Sequence, residues 1–308
     1  MNPSLGPPRL FCVFNMIKSS MVFPDFSEDI RLIVSDMDGT LLGPDGTLSA
    51  DFFPILDQLL ARGCTFVVAS GRQYFNLREI FHDYLDKIYF IAENGSYVAY
   101  KDQPIAILEM DKSFVNPIVQ AVRALKDCHA VYCGASRAYI EDEDPEFVQE
   151  VSKYYHQLEV VPDLTLLEGE LCLKIAVCNL GEAPEYGYPH LCHFEKQGLK
   201  VVLSGKNWVD LSEPTANKGV PLSQLQQRLG IPKEQTLAFG DQMNDLEMLA
   251  CAHYSFAVEN AYPALKPYAR YQAPANAEQG VLQVLRHLCK IYEEKMVNLE
   301  PLAHKLEY

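Results

Sequence analysis

Short runs of almost wholly apolar residues alternate with longer amphipathic runs, and this alternation constrains the fold more than any other feature. Residues 31–35, 65–70 and 88–94 read as buried strands. The segments between them, 51–63 and 72–81, carry their apolar residues on one helical stripe. Strands that are apolar throughout are buried on both faces, so the pattern predicts a parallel sheet with helices on both sides.

The rhythm changes near Ser96, where strand-like runs begin to occur in pairs. The predicted strands of this part are 96–100, 105–109, 129–133, 137–140, 171–179, 199–204 and 207–211, and the predicted helices are 113–126, 145–157 and 188–197. Paired strands between helices predict a separate α+β unit with an antiparallel sheet.

The parallel rhythm then returns to the end of the chain. The predicted helices there are 217–230, 244–252 and about 280–295, and the predicted strands are 236–239 and 254–258. We therefore predict an α/β core domain formed by residues 30–97 and 212–308. A second domain, the cap, is predicted as an insertion at 98–211.

Residues 1–29 are rich in proline and are predicted to form an irregular tail. Their apolar run FCVFNMI could be the centre of a signal peptide, but it lacks a basic start and a small-x-small cleavage site. A loose tail, or an extended translation start ahead of Met21, fits the sequence better.

Composition limits the partners that the chain can have. Its 308 residues, 48% of them hydrophobic, suffice for one large or two modest domains. The net charge of −15 argues against a nucleic-acid surface, which needs patches of Lys and Arg. No stretch reaches the roughly 18 consecutive apolar residues of a membrane span. The nine cysteines form no CxxC pair, so we expect buried thiols in a reducing cytoplasm, without disulfides or a zinc site.

The stretch LIVSDMDGTLL places Asp36 and Asp38 at the end of the first predicted strand. Residues two apart in an extended chain point the same way, so both carboxylates can face one pocket. Gly39 relieves the turn, and the Thr40 hydroxyl can hold the loop. One aspartate can then attack as a nucleophile while the other transfers a proton. The alternative is an Asp-rich turn that binds no ligand.

Two further polar groups lie next to predicted helix starts. Ser70, in VVASGR, can form an anion site with the backbone N–H groups of the following helix, or it can be a plain N-cap. Lys218 lies where the helix dipole disfavours a cation by roughly 0.3–1 kcal/mol. A bound anion would remove that conflict, whereas a solvated lysine would simply tolerate it.

The stretch FGDQMNDLEML places Asp241 and Asp245 on either side of a helix start, with Asn244 between them. Two carboxylates four residues apart can bind a hard cation, or they can cap the helix. A phosphomonoester dianion beside Asp36 and this acidic pair brings about five negative charges, against one positive charge from Lys218 and two from Mg²⁺. Such a density of charge fits the hydrolysis or transfer of a phosphate monoester, which is among the slowest uncatalysed reactions.

In this order, DMDGT, Ser70 in ASGR, Lys218 and GDQMND resemble the four motifs of the haloacid dehalogenase superfamily of phosphohydrolases. The stretches FIAENGSYV, ENAYPALKPYA and AEQGVLQVL are similar to its Cof-type subgroup, particularly bacterial sugar phosphatases. The resemblance covers about residues 30–290. It implies a Rossmann-like core with a large α/β cap inserted between the second and third motifs, where the insertion near 97–212 lies.

The resemblance also implies how the motif residues would act on a phosphate ester. Asp36 would be the nucleophile that forms an aspartyl-phosphate. Asp38 would be the general acid and base, protonating the leaving alcohol and then activating water. Ser70, together with Gly71, and Lys218 would hold the phosphoryl oxygens.

A Mg²⁺ ion is the cofactor that the resemblance implies. It would be bound by the Asp36 carboxylate, the Asp38 backbone carbonyl and the Asp241 carboxylate. Asp245 would support the metal site, and Asn244 would contact the phosphate or the metal-site water.

Two positions depart from the pattern of the subgroup. Where the family frequently has MGNA, residues 258–261 read VENA, so Glu259 replaces a glycine close to the site. Pro267 interrupts the short helix that follows.

Arg72 could reach the substrate or the cap, or it could be an exposed helix arginine.

The sequence therefore predicts a cytoplasmic, Mg²⁺-dependent phosphatase of small phosphorylated metabolites, first of all sugar phosphates, with no nucleic-acid or membrane partner. The alternatives are a phosphosugar mutase of the phosphomannomutase type and a regulator that binds phosphometabolites without turnover. The intact Asp38 argues against the regulator. Specificity is expected in the cap, which would close over the site on hinges near 97 and 212. Candidate positions in the cap, each interpreted first as structural, are Tyr132, Arg137, Lys174 and Trp208.

Overall fold

The computed structural model describes residues 23–303 except 28, 182 and 205. Within them the chain forms the strands β1 (Leu32–Ser35), β2 (Thr65–Ala69), β3 (Tyr89–Ala92), β4 (Tyr97–Tyr100), β5 (Gln103–Ile107), β6 (Cys128–Gly134), β7 (Ala138–Ile140), β8 (Leu158–Val160), β9 (Cys172–Asn179), β10 (Lys200–Leu203), β11 (Trp208–Ser212), β12 (Thr236–Gly240), β13 (Tyr254–Val258) and β14 (Tyr271–Ala273). The α-helices of the same residues are α1 (Phe52–Ala61), α2 (Tyr74–Ile80), α3 (Val115–Arg123), α4 (Pro145–Val151), α5 (Tyr188–Leu191), α6 (Gly219–Leu229), α7 (Leu246–Ala250) and α8 (Gly280–Ala303).

Eight strands form one sheet in the order β14-β13-β12-β1-β2-β3-β4-β5, which we call the core sheet. Its first six strands in this order are parallel, and β4 and β5 are antiparallel to their neighbours. The chain reaches β2 by one crossover from β1 and returns to β12 on the other side of β1. The strand order therefore reverses at β1, and ligands bind beyond the carboxyl ends of strands at such a point.

Helices cover both faces of the core sheet because successive strand residues point to opposite sides. Ile33 of β1 packs in one apolar cluster with Phe52 of α1 and Leu285 of α8. Its neighbour Val34 packs in another cluster with Leu222 of α6. The expected parallel sheet with helices on both faces is confirmed.

A second sheet, the cap sheet, has the strand order β10-β11-β9-β6-β7-β8. All its neighbouring strands are antiparallel except β7 and β8, which are parallel. Ile118 of α3 and Leu191 of α5 lie in the apolar cluster on one face, and Phe147 of α4 lies in the cluster on the other. The expected antiparallel sheet is thus present, with one parallel pair at its edge.

The predicted strand pair at 96–100 and 105–109 is present as β4 and β5, but it extends the core sheet. The tight turn Glu93–Gly95 folds β4 back beside β3, which keeps this hairpin with the core. The predicted domain boundary at 98 therefore falls inside a core strand. The division into a core domain and an inserted cap domain stays a prediction.

The element bounds differ from the expected ones in a few places. Strands β8 and β14 were not predicted, since each is three residues long and mostly unburied, so neither forms an apolar run. Helix α4 ends at Val151, short of the predicted 157, and α8 continues to Ala303, beyond the predicted 295. No helix in the described part of the chain combines the length and apolar character needed to cross a membrane.

Most of the predicted tail, residues 1–22 and 28, lies outside the described residues. The described part nearest to β1 is irregular, as expected, but it is anchored. Phe26 is 3% exposed, and its ring lies edge-on against Tyr254 with centroids 5.0 Å apart. The end of the predicted tail is therefore part of the core packing.

Helix α6 begins directly after Lys218, and its first residue packs closely against α7. A Cβ at Gly219 would lie 2.6 Å from the main-chain carbon and oxygen of Glu247. We expect Gly219→Ala to lower the free energy of unfolding by about 1–3 kcal/mol, as overpacking does, in urea denaturation. Gly181→Ala is the control, because a Cβ at Gly181 would meet nothing within 4 Å. An equal loss in both variants would contradict this account.

Candidate active site

Three adjacent strands of the core sheet deliver polar side chains to the same edge. Asp36 follows β1, Ser70 follows β2, and Asp241 follows β12. Strand β1 pairs with both of the others in parallel, so the three carboxyl ends lie side by side. The N–H of Asp36 donates to the carbonyl of Phe239 at 3.0 Å, which continues the pairing of β1 with β12 up to the site.

The turn after Asp36 lies directly against Asp241. The Thr40 hydroxyl donates a hydrogen bond of 2.8 Å to Asp241 Oδ1, as a residue that holds the loop should. Gly39 has φ +77°, and a Cβ there would collide with the Asp241 carboxylate. Glycine is therefore required at this position for both its backbone conformation and its small size.

The carboxylates of Asp36, Asp241 and Asp245 form a buried cluster, in which one oxygen atom from each residue lies within 4.8 Å of the other two. The Lys218 ammonium lies 2.6 Å from Asp36 Oδ1 and 2.7 Å from Asp245 Oδ1, and its side chain is fully buried. Three carboxylates against one ammonium leave a formal charge of two negative units. We call these four residues the acid cluster.

Burial and mutual repulsion act on the protonation of the acid cluster. Burial raises the pKa of the Asp36 carboxyl well above its ordinary value, and Asp245 and Asp241 raise it further, against the opposing effect of Lys218. Burial also raises the pKa of Asp241. Burial alone would lower the pKa of Lys218, but the carboxylates of Asp245 and Asp36 outweigh it and raise that pKa. The cluster therefore favours the uptake of positive charge.

Asp245 also fixes the turn that follows β12. Its Oδ2 accepts the N–H groups of Asp241 at 2.9 Å and Gln242 at 3.0 Å, while its other oxygen accepts from Lys218. A Cβ at Gly240 would lie 2.6 Å from the Cβ of Asp245, so this turn has no room for a larger residue. One buried carboxylate thus holds both the backbone and the ammonium.

Asp38 does not join the acid cluster. Its side chain is 56% exposed. The Arg72 guanidinium donates two hydrogen bonds to its carboxylate, from Nε to Oδ2 at 2.7 Å and from Nη2 to Oδ1 at 2.5 Å. Arg72 was expected to reach the substrate or the cap, or to be exposed. The structure pairs it instead with the expected acid and base, because both follow neighbouring strands at the same edge.

Asn94 and Asn260, which were not predicted as site residues, connect the motif loops. Asn244 Nδ2 donates to Asn94 Oδ1 at 3.0 Å, and the N–H of Asn94 donates to the carbonyl of Ser70 at 3.0 Å. Asn260 Nδ2 donates to the carbonyl of Gly39 at 2.7 Å. The position of Asn94 just after the third strand was the signal that could have found it, since β3 ends at the same edge of the sheet.

A family model described as haloacid dehalogenase-like hydrolase matches residues 33–285 of the chain. The chain belongs to this family. The 5-amino-6-(5-phospho-D-ribitylamino)uracil phosphatase YbjI of Escherichia coli (strain K12) is 34% identical over 264 residues, which are 85% of this chain and 97% of that protein. The HMP-PP phosphatase of Cronobacter sakazakii (strain ATCC BAA-894) is 28% identical over 76% of this chain and 86% of that protein.

The fold also matches that of a solved structure over most of the chain. The crystal structure of SMU.1108c from Streptococcus mutans UA159 matches with a TM-score of 0.76 and 30% identity, over 84% of this chain and 98% of that chain. The expected fold and family are confirmed. Since both relatives carry the name of a phosphatase, the expected enzyme class, a phosphoric monoester hydrolase, is confirmed as well.

Phosphatases of the haloacid dehalogenase superfamily generally use Mg²⁺, and the acid cluster fits such an ion. Its donors are all carboxylate oxygens, which Mg²⁺ prefers. Its excess of two negative charges is the charge that one divalent cation balances. Asp36, Asp241 and Asp245 are the side chains that would hold the ion.

The cap positions singled out in the sequence are engaged within the protein. Tyr132 is buried and donates to the carbonyl of Glu170, and Arg137 pairs with Glu159. Trp208 is 7% exposed and lies edge-on against Tyr154. Lys174 is buried and forms an ionic contact with Glu93. Glu259 lies outside the cap, after β13 of the core sheet, and is exposed.

Lys218 contacts two of the three buried carboxylates and supplies the positive charge of the acid cluster, so its removal should destabilise the fold. Removing one partner of a buried ionic contact costs about 3–5 kcal/mol, and we expect Lys218→Met to lower the free energy of unfolding by that amount in urea denaturation. Lys290→Met, at a lysine whose side chain is 72% exposed, is the control and should cost little. A Lys218→Met variant as stable as the wild type would contradict the compensating role of this ammonium.

Proposed function

We propose that the chain is a Mg²⁺-dependent phosphatase of small phosphorylated metabolites that works through an aspartyl-phosphate on Asp36. The acid cluster carries this proposal. A buried nucleophilic carboxylate at the reversal point of the strand order lies 2.6 Å from an ammonium and within a group of acids that lacks two positive charges. A divalent ion and a phosphoryl group together suit that arrangement better than any neutral ligand does.

In the first step an oxygen of Asp36 forms a bond to phosphorus as the ester P–O bond breaks. The leaving oxygen takes its proton from Asp38. In the second step Asp38 accepts a proton from the water that attacks phosphorus, and the release of phosphate restores the Asp36 carboxylate. Arg72 occupies both carboxylate oxygens of Asp38, so this contact must open before Asp38 can reach the leaving oxygen.

The phosphoryl oxygens would be held by the groups around Asp36. Lys218 has three N–H donors, of which two point to Asp36 and Asp245, so one is left for a phosphoryl oxygen. Ser70 and Gly71 follow β2, the neighbour of the strand that Asp36 follows, and would supply a hydroxyl and a backbone N–H. Asn244, held by Asn94, completes the set.

The metal ligands would be the three carboxylates of the acid cluster and the backbone carbonyl of Asp38. When bound, Mg²⁺ supplies positive charge opposite the phosphoryl oxygens and offsets the acids that would otherwise repel them.

The substrates that we propose are sugar phosphates and related polyol phosphates. The relative from Escherichia coli is named for a phospho-D-ribityl compound, which supports a small phosphorylated polyol as the starting point of a substrate search. A cytoplasmic location fits the cysteines of the described chain, which are free thiols.

Asp36→Asn is expected to abolish turnover and to stabilise the fold. Burial raises the Asp36 pKa above its unfolded value, so ionising this carboxyl at neutral pH costs folding free energy. That cost is absent below the unfolded pKa and grows as the pH rises through the folded pKa. The neutral amide removes it, and without added divalent ions the urea midpoint should rise at pH 7.

The measurements are phosphate release from a panel of sugar phosphates and urea denaturation of the same preparations. Asp86→Asn, at an exposed acid, is the matched control and should change neither quantity. Wild-type rates in Asp36→Asn would exclude the covalent mechanism. Isomerised product without net phosphate release would favour the mutase.

Mg²⁺ should be required for turnover and should stabilise the folded protein. We expect EDTA to abolish phosphate release and added Mg²⁺ to restore it. At about 100 times its Kd, a ligand that binds only the folded state stabilises it by about 2.7 kcal/mol, so the thermal midpoint should rise and saturate. Asp241→Asn should lose this rise while Asp86→Asn keeps it. A Mg²⁺-independent rate would exclude the proposed metal chemistry.

A further inference from the structure

A second buried ionic contact joins the cap sheet to the core. Lys174 of β9 places its ammonium 2.8 Å from Glu93 Oε2 and 3.1 Å from Asp210 Oδ2 of β11. The three side chains are 6%, 1% and 11% exposed, in that order. Lys174 and Asp210 belong to the cap sheet, whereas Glu93 begins the turn after the core strand β3. The contact therefore consists of a cap ion pair and one core carboxylate.

Glu93 depends on the cap for its charge partner. Burial raises the pKa of its carboxyl, and Lys174 is the group that opposes this rise. Its second oxygen, Oε1, is buried and has no hydrogen-bond partner among the described residues. If the cap moved away, Lys174 would keep Asp210, but Glu93 would remain without a counterion.

The turn that carries Glu93 has a backbone conformation that needs support. Glu93, Asn94 and Gly95 have φ values of 49°, 52° and 101°, so three successive residues lie in the left-handed region. Residues other than glycine adopt this region at an energetic cost, and such conformations persist where the surroundings impose them. The contact with Lys174 is one such constraint, and it comes from the cap.

The same turn touches three loops of the candidate active site. Asn94 accepts from Asn244 at 3.0 Å and donates through its N–H to the carbonyl of Ser70 at 3.0 Å. A Cβ at Gly95 would collide with the carbonyl oxygen of Asn217, so the turn lies directly against the residue that precedes Lys218. Residues 93–95 thus connect the cap to three of the four motif loops.

We propose that Glu93 and Lys174 are positioning residues that couple cap docking to the assembly of the phosphate site. The cap ammonium holds residues 93–95 in their left-handed conformation, and that turn in turn holds Asn244 and the start of α6. The site is complete when the cap is docked and loosens when Lys174 withdraws. This inference rests on the proposed phosphatase function for its kinetic readout.

Glu93→Gln and Asp210→Asn form a matched pair that separates this role from a merely structural one. Each replaces one carboxylate partner of Lys174 by its amide and leaves one carboxylate in place, so the residual charge is the same and both variants retain a buried ion pair. Only Glu93→Gln removes the charged contact between cap and core. A structural brace would respond alike to both changes.

We expect Glu93→Gln to lower kcat for a sugar phosphate by about tenfold, within the range by which coupling networks respond to mutation. Asp210→Asn should stay within about twofold of the wild type. Hydrogen exchange followed by mass spectrometry gives a readout that needs no turnover. The N–H of Asn94 donates to the carbonyl of Ser70, and the N–H of Ser96 donates to the carbonyl of Glu93. Both amides should exchange faster than in the wild type in Glu93→Gln, and at the wild-type rate in Asp210→Asn.

Equal kinetic losses in the two variants, or wild-type kcat in Glu93→Gln, would overturn the proposal. So would unchanged exchange at residues 93–96 in Glu93→Gln. If the wild type released no phosphate from any ester, the proposed function would fail. The exchange comparison would then still decide whether Lys174 holds the turn.

Discussion

The contact of the Lys218 ammonium with two buried carboxylates is the interaction on which the site depends. It joins the end of β1, the start of α6 and the turn after β12, which are distant in sequence. A lysine at a helix start is unfavourable on its own because of the helix dipole. In this protein the carboxylates of Asp36 and Asp245 remove that conflict, and the anion that the sequence suggested is not needed for it.

The excess of acids over bases then sets what the site can accept. One ammonium cannot neutralise three carboxylates, and burial prevents water from screening them as it does at the surface. The charge of the acid cluster is therefore poorly screened, whereas water screens most of the net charge of −15 at the protein surface. The acid cluster attracts a small, hard cation, and only with that ion does an anionic substrate become acceptable.

Much of the site could be predicted because the order of polar residues follows the order of the strands. Asp36, Ser70 and Asp241 each end an apolar strand, and a parallel sheet brings such ends together. Asn94 follows the same rule, because it comes just after β3. The pairing of Arg72 with Asp38 could not be predicted in this way, because it depends on the direction of a long side chain, which no spacing along the chain specifies.

The limits of fold prediction have a similar cause. An alternating pattern indicates a strand but not the sheet that it joins, which is why the hairpin of β4 and β5 was assigned to the cap. That hairpin makes β5 the outermost strand on its side of the core sheet. Its second residue, Pro104, lacks a backbone N–H, so the row of exposed donors is interrupted. A strand from a neighbouring molecule therefore lacks one hydrogen-bond donor at this edge, which disfavours growth of the sheet by intermolecular strand addition.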